Sequence, residues 1–248
     1  MNSVEPVPSL NQKINDLFST RLLLRFCMEL QTDVQERQNL FSHLTKLQRS
    51  IYDLDTYGEQ TWNLDKTHLS ILWNDINASL SAFGFDKNIM RQLLSDIHSF
   101  QEIEEQLRLG NLPTKNPIEM FYHFKTCDVR MSRQILVAHS KKINSPPILY
   151  LWNLFDLASE VLDDLLDIDE DITTFNGNRY LLSSISQSTD STNKEYLSFL
   201  KELGKQATLA GNARMATIIL SKIDESILLL KKVDRQLIKY EFTVLPVI

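Results

Sequence analysis

Glycine is scarce in this chain of 248 residues: the six present are about 2% of it, against a usual ~7%. Tight hairpins and phosphate-cradling loops consume glycine, because it adopts left-handed backbone at no steric cost. A β-rich or nucleotide-cradling fold is therefore excluded. The pair Gly204-Lys205 has no upstream glycine at P-loop spacing. Basic charge is also short, with 26 Lys and Arg against 32 Asp and Glu and a net charge of −6. No basic stripe tracks a phosphate backbone, so nucleic acid is not an expected partner. Only two cysteines occur, Cys27 and Cys127, far apart and inside helical patterns. They read as reduced, buried thiols of a cytoplasmic protein. No uncharged apolar run reaches the ~18–20 residues that span a bilayer, and residues 1–10 lack a signal-peptide core.

What is present is helical periodicity almost throughout. The pattern predicts helices over about 9–31, 34–59, 64–82, 86–109, 117–141, 147–174, 192–211 and 213–241. Breaks fall at Gly84, Gly110 to Pro113, Ser145-Pro146-Pro147 and Asn176-Gly177-Asn178. The Ser/Thr-rich stretch 183–193 reads as a mobile loop. The expected fold is all-α: a single domain over 1–248, an antiparallel bundle of about eight helices.

Chemistry concentrates between residues 154 and 172. Leu154, Leu157, Ala158, Val161, Leu165, Ile168 and Ile172 form an apolar stripe, and Asp156, Glu160, Asp163, Asp164, Asp167, Glu170 and Asp171 fill the opposite arc. Asp163, Asp167 and Asp171 repeat every four residues and stack on one face, about 6 Å apart along the axis. A merely solvated face usually mixes signs, yet no base occurs from Asp156 to Asp171. The acids also crowd a helix C-terminus, where the macrodipole is already negative. Hard oxygen ligands on one rigid face suit Mg²⁺ shared with substrate phosphates.

Two other segments could complete such a site. Leu40, Leu44, Leu47, Ile51 and Leu54 set an apolar stripe, and Asp55 falls at its edge with Glu59 one turn on. An acid there is as often a cap or surface residue as a ligand. In 117–141, Lys125, Asp128 and Ser132 share an inward face with Phe121, Phe124, Ile135 and Leu136, and Arg133 flanks it. Unpaired buried charge is costly, so these groups either satisfy one another or line a polar cavity where Lys125 and Arg133 meet an anion. His43, His68, His98, His123 and His139 form no ligand-spaced cluster.

The run Asp163-Asp164-Leu165-Leu166-Asp167-Ile168-Asp169-Glu170-Asp171, followed by Arg179-Tyr180-Leu181, resembles the second aspartate-rich motif of class I isoprenoid synthases. The squalene/phytoene synthase group is the nearest in pattern. Asp55-Thr56-Tyr57-Gly58-Glu59 resembles the end of that family's first acidic motif. The resemblance implies a helical bundle around a central apolar cavity, with Mg²⁺ held by Asp163, Asp167, Asp171, Asp55 and Glu59. It implies a prenyl diphosphate substrate met by Lys125, Arg133, Arg179 and Tyr180. It further implies ionisation of the diphosphate with the catalytic help of Asp163, Asp167, Asp171 and Asp55, and peripheral membrane contact for an apolar product. Two departures matter. Ile51 stands where the first motif has another aspartate, and Thr126 to Arg133 replaces a helix of small residues. Cyclisation of one substrate and prenyl transfer to an acceptor both remain open. The alternative is a non-catalytic helical module that binds a basic partner protein or a structural cation through the acidic face.

Overall fold

The computed structural model describes residues 9–30, 33–61, 63–109, 111, 117–140, 146–172 and 177–237. Among them it is all-α, with no strand, as the glycine count and the periodicity require. The helices are α1 (Leu10–Thr20), α2 (Leu23–Leu30), α3 (Val34–Gln60), α4 (Lys66–Ser81), α5 (Lys87–Arg108), α6 (Ile118–Lys125), α7 (Cys127–Ala138), α8 (Pro146–Leu166), α9 (Ile168–Asp171), α10 (Arg179–Ser186), α11 (Thr189–Leu209) and α12 (Ala213–Leu237).

Three of the expected long helices are broken, and each break has a local cause. The first divides at Arg21-Leu22, where Leu22 takes φ 53°, a left-handed conformation that costs a non-glycine residue roughly 1–2 kcal/mol. The buried Arg133 guanidinium stands over this turn, donating from Nη2 to the Arg21 carbonyl at 2.6 Å. The second divides at Thr126, whose N–H bonds back to Tyr122 O and whose hydroxyl donates to the same carbonyl at 2.9 Å. The third divides at Asp167, where φ −92° and ψ 9° lie off the helical values. The stretch 183–193, expected as a mobile loop, is instead the end of α10 and the start of α11, joined through Gln187 and Ser188. Ser188 there is a cap, its side chain accepting from Ser191 N at the start of α11. A capping run and a loop have the same composition, which is why composition alone misreads it.

The chain expected as one domain divides into two compact units, Met1–Leu93 with Met131–Asn144, and Leu94–Arg130 with Ser145–Ile248. The division passes through α5 and α7.

In the first unit α3 packs on α1 and α4, burying Leu40, Leu44, Leu47, Ile51 and Leu54 as their spacing predicts. His139, at the end of α7, sits against the rings of Phe83 and Phe85.

The second unit is built around α8, which packs on α6, α11 and α12. Its 21 residues begin at Pro146-Pro147, proline being favoured in the first turn of a helix. From Leu151 to Leu165 it is buried nearly all round. Such a helix must be the centre of its unit, and the fully covered Trp152, Phe155, Ala158 and Val161 each remove apolar area worth about 25 cal/mol per Å². α11 and α12 approach closely at Gly204, where a Cβ would come within 3.1 Å of Leu220 Cδ2. Cys27 and Cys127 are buried thiols, neither in a disulfide. No helix among the described residues is long and apolar enough to cross a membrane.

Candidate functional site

The acids of α8 do not share one environment. Asp156, Glu160 and Asp164 also repeat every four residues, and this second stripe faces inward. Asp156 and Asp164 are buried, and the Glu160 side chain is 13% exposed. Asp163 is half-buried and Asp167 exposed, so the outer stripe begins as the spacing suggests, but Asp171 is buried. The expectation that all seven acids line the opposite arc is therefore corrected. A helix at the centre of its unit has no outer arc over most of its length.

Asp164 is the hub of the inner stripe. Lys125, the last residue of α6, donates Nζ to Asp164 Oδ1 and lies 3.4 Å from Glu160 Oε1. Tyr122, one turn earlier, donates its hydroxyl to Asp164 Oδ2 at 2.7 Å. That spends its single proton, so Tyr196 is the donor in the 2.7 Å contact between the two hydroxyls. The Arg179 backbone N–H reaches Asp164 Oδ2 at 3.0 Å. α6, α10 and α11 are thus all tied to one carboxylate of α8. The break at Thr126 belongs to this arrangement, because Lys125 ends α6 and turns to α8, not to Asp128. Asp128 instead accepts from Val129 N at 2.6 Å.

Burial opposes the Lys125 charge, but Asp164 and Glu160 outweigh it and hold the ammonium protonated well above the usual lysine range. Burial also pushes the Asp164 carboxyl up to about 6, against the pull of Lys125. The Tyr122 and Tyr196 hydroxyls are held far above the ordinary range, first by burial and then by Asp164. Both stay protonated and act as donors.

At the outer stripe the balance differs. Burial, followed by the charges of Asp171, Asp163 and Glu170, pushes the Asp167 carboxyl up to about 6. A carboxyl raised in the folded state binds its proton more tightly there than in the unfolded chain, where it titrates near ~3.9. Its stabilising contribution is complete below that value and is lost as pH rises through about 6. Asp167→Asn is expected to melt above the parent protein near neutral pH, and the two should converge as pH falls toward ~4. Thermal melts followed by circular dichroism across that range check this; a gap that does not change with pH would count against it.

Arg179 and Tyr180 open α10 beside the acidic turn and are buried. Arg179 Nη2 lies 3.6 Å from Glu195 Oε1, and the Tyr180 hydroxyl donates to Asn193 Oδ1 at 2.8 Å. Arg133, Asp55 and Glu59 belong to the first unit. Arg133 is fully buried, bonded to the Arg21 carbonyl, with its guanidinium 5.1 Å from the centroid of the Phe26 ring. Asp55 is half-buried at the edge of the α3 stripe, and the Glu59 side chain lies outside the described residues.

Among the described residues no three His, Cys, Asp or Glu side chains converge as a ready-made metal cage. Mg²⁺ seldom uses one; it is usually held by one or two carboxylates with substrate phosphates and water. Asp167, raised first by burial and then by the neighbouring acids, lies on a turn that suits that mode: acids close enough to repel, with Asp167 itself exposed. Sequence reasoning missed Asp164, Tyr122, Tyr196 and Asn178. The signal was the second four-residue repeat, Asp156-Glu160-Asp164, with Asp164 next to Leu157 at the edge of the apolar stripe on the wheel. Compared with models of protein families, with curated proteins and with solved structures, the chain has no match.

Proposed function

We propose that the second unit carries the diphosphate end of a Mg²⁺-dependent class I isoprenoid synthase. The substrate would be a prenyl diphosphate, ionised and then cyclised or transferred. The observation that carries this reading is the outer acidic turn, where the charges of Asp171, Asp163 and Glu170 bear on Asp167 while Lys125, a cation also felt there, is bonded to Asp164. Excess negative charge at a helix end is stabilised by a cation. Bound there, Mg²⁺ would neutralise the diphosphate as it departs. Asp163 and Asp167 would hold it, with Asp171 beside them. Asp55 and Glu59 lie in the first unit and are left out of this reading. Lys125 and Arg179 supply positive potential, and Tyr180 packs edge-on against Tyr196 behind them. Arg133 is left out, because the Arg21 carbonyl and Phe26 already engage it.

A specific observation favours the second reading, a non-catalytic helical module binding a cation or a basic partner. Lys125, Arg179 and Tyr180, assigned to the diphosphate, already have partners in Asp164, Glu195 and Asn193. Incubation with C10 to C20 prenyl diphosphates and Mg²⁺, read by pyrophosphate release, separates the two. Release with any chain length supports the synthase. A Mg²⁺-dependent rise in melting temperature without release supports the module. Neither release nor a shift with Mg²⁺ and pyrophosphate together sinks the synthase reading.

A further inference from the structure

We infer that Asn178 is a positioning residue for the acidic turn, locking the direction of Asp171 and the start of α10 to the same point of α8; its link to a cation rests on the reading just proposed. Asn178 is fully buried and every polar atom of its side chain is used. Oδ1 accepts from Leu181 N at 3.1 Å, capping α10. Nδ2 donates to Asp164 O at 2.6 Å and to Asp171 Oδ2 at 2.7 Å. The amide has two protons, one for each acceptor.

Both acceptors exist because α8 breaks. In an uninterrupted helix the Asp164 carbonyl would receive the N–H of Ile168. Here α8 stops at Leu166, α9 starts at Ile168, and the Asn178 amide takes that carbonyl. Asp171 is 5% exposed, so the orientation of its carboxylate is set from inside the protein. The next residue, Arg179, places its backbone N–H on Asp164 Oδ2. The turn bearing Asp167 and Asp171 and the helix bearing Arg179 and Tyr180 are therefore aligned by one amide side chain. Hydrogen bonds that orient a ligating carboxylate are worth roughly 10–100-fold in metal affinity.

Serine caps a helix about as well as asparagine but is too short to reach Asp171, so Asn178→Ser removes the grip and keeps the cap. Amide exchange over residues 167–172 in the absence of metal is expected to accelerate in this variant, and the melting temperature to fall by a few degrees because two buried acceptors lose their donor. Mn²⁺ affinity by calorimetry should fall about 10–100-fold. Unchanged exchange overturns the inference, as does unchanged Mn²⁺ affinity in a parent that binds the ion. If the parent binds no Mn²⁺ but the variant still loosens the turn, the positioning role stands and the cation reading fails. Should the serine variant not fold, N178D opposes two acceptors at the same site and D171N in that background restores a donor. Recovered protection in the double variant supports the inference, and no recovery overturns it.

Discussion

Asp164→Ala is expected to destabilise the protein by about 3–5 kcal/mol, the cost of removing one partner of a buried ion pair. At 2–4 °C per kcal/mol for a chain of this size, the melting temperature should fall on the order of 10 °C. The loss comes from what is left behind. Lys125 is 14% exposed and would keep a charge balanced chiefly by Glu160, with a smaller contribution from Asp171, while the Tyr122 hydroxyl and the Arg179 N–H would lose their acceptor. Lys125→Met should cost a similar amount, since it leaves a buried carboxylate. The combination Asp164→Asn with Lys125→Met tests the coupling. Asparagine still offers an oxygen to Tyr122 and Arg179, and methionine fills the space of the lysine stem without charge. This double variant should be more stable than Lys125→Met alone by about 0.5–3 kcal/mol, measured by chemical denaturation. Additive losses would show that the four groups do not act as one network.

Asp167→Ala is expected to have the opposite profile. Pyrophosphate release should fall at least roughly 100-fold, about 2.7 kcal/mol of transition-state stabilisation, while the melting temperature near neutral pH is maintained or raised. Asp167 is exposed, and its neighbours Asp171, Asp163 and Glu170 disfavour its charge, so folding gains nothing from the ionised carboxylate. A residue that the fold tolerates at a cost is better explained by binding than by packing. A large fall in melting temperature, or release at the parental rate, would remove Asp167 from the proposed site. The two substitutions thus separate the stripes of α8: the inner one holds the unit together, and the outer one is available for chemistry.

Much of this was legible in the sequence because it depends on local periodicity. Few glycines and a helical apolar repeat suffice for an all-helical chain, and the Leu40 to Leu54 and Leu154 to Ile168 stripes are buried as read. The four-residue repeat of Asp163, Asp167 and Asp171 is likewise visible without coordinates. Tertiary structure decided which acids face inward. A helical wheel ranks faces by composition, and it cannot show that α8 is enclosed by α6, α11 and α12 and so has no solvent face over most of its length. It cannot show that Lys125 ends a helix at Thr126 and meets Asp164 instead of Asp128, because that choice depends on a residue 39 positions away. Nor can it show that an asparagine beyond the motif holds Asp171. Local sequence sets the helices and their stripes. The partner of each buried charge is set by which helices pack together, since desolvation makes an unmatched charge too costly to bury.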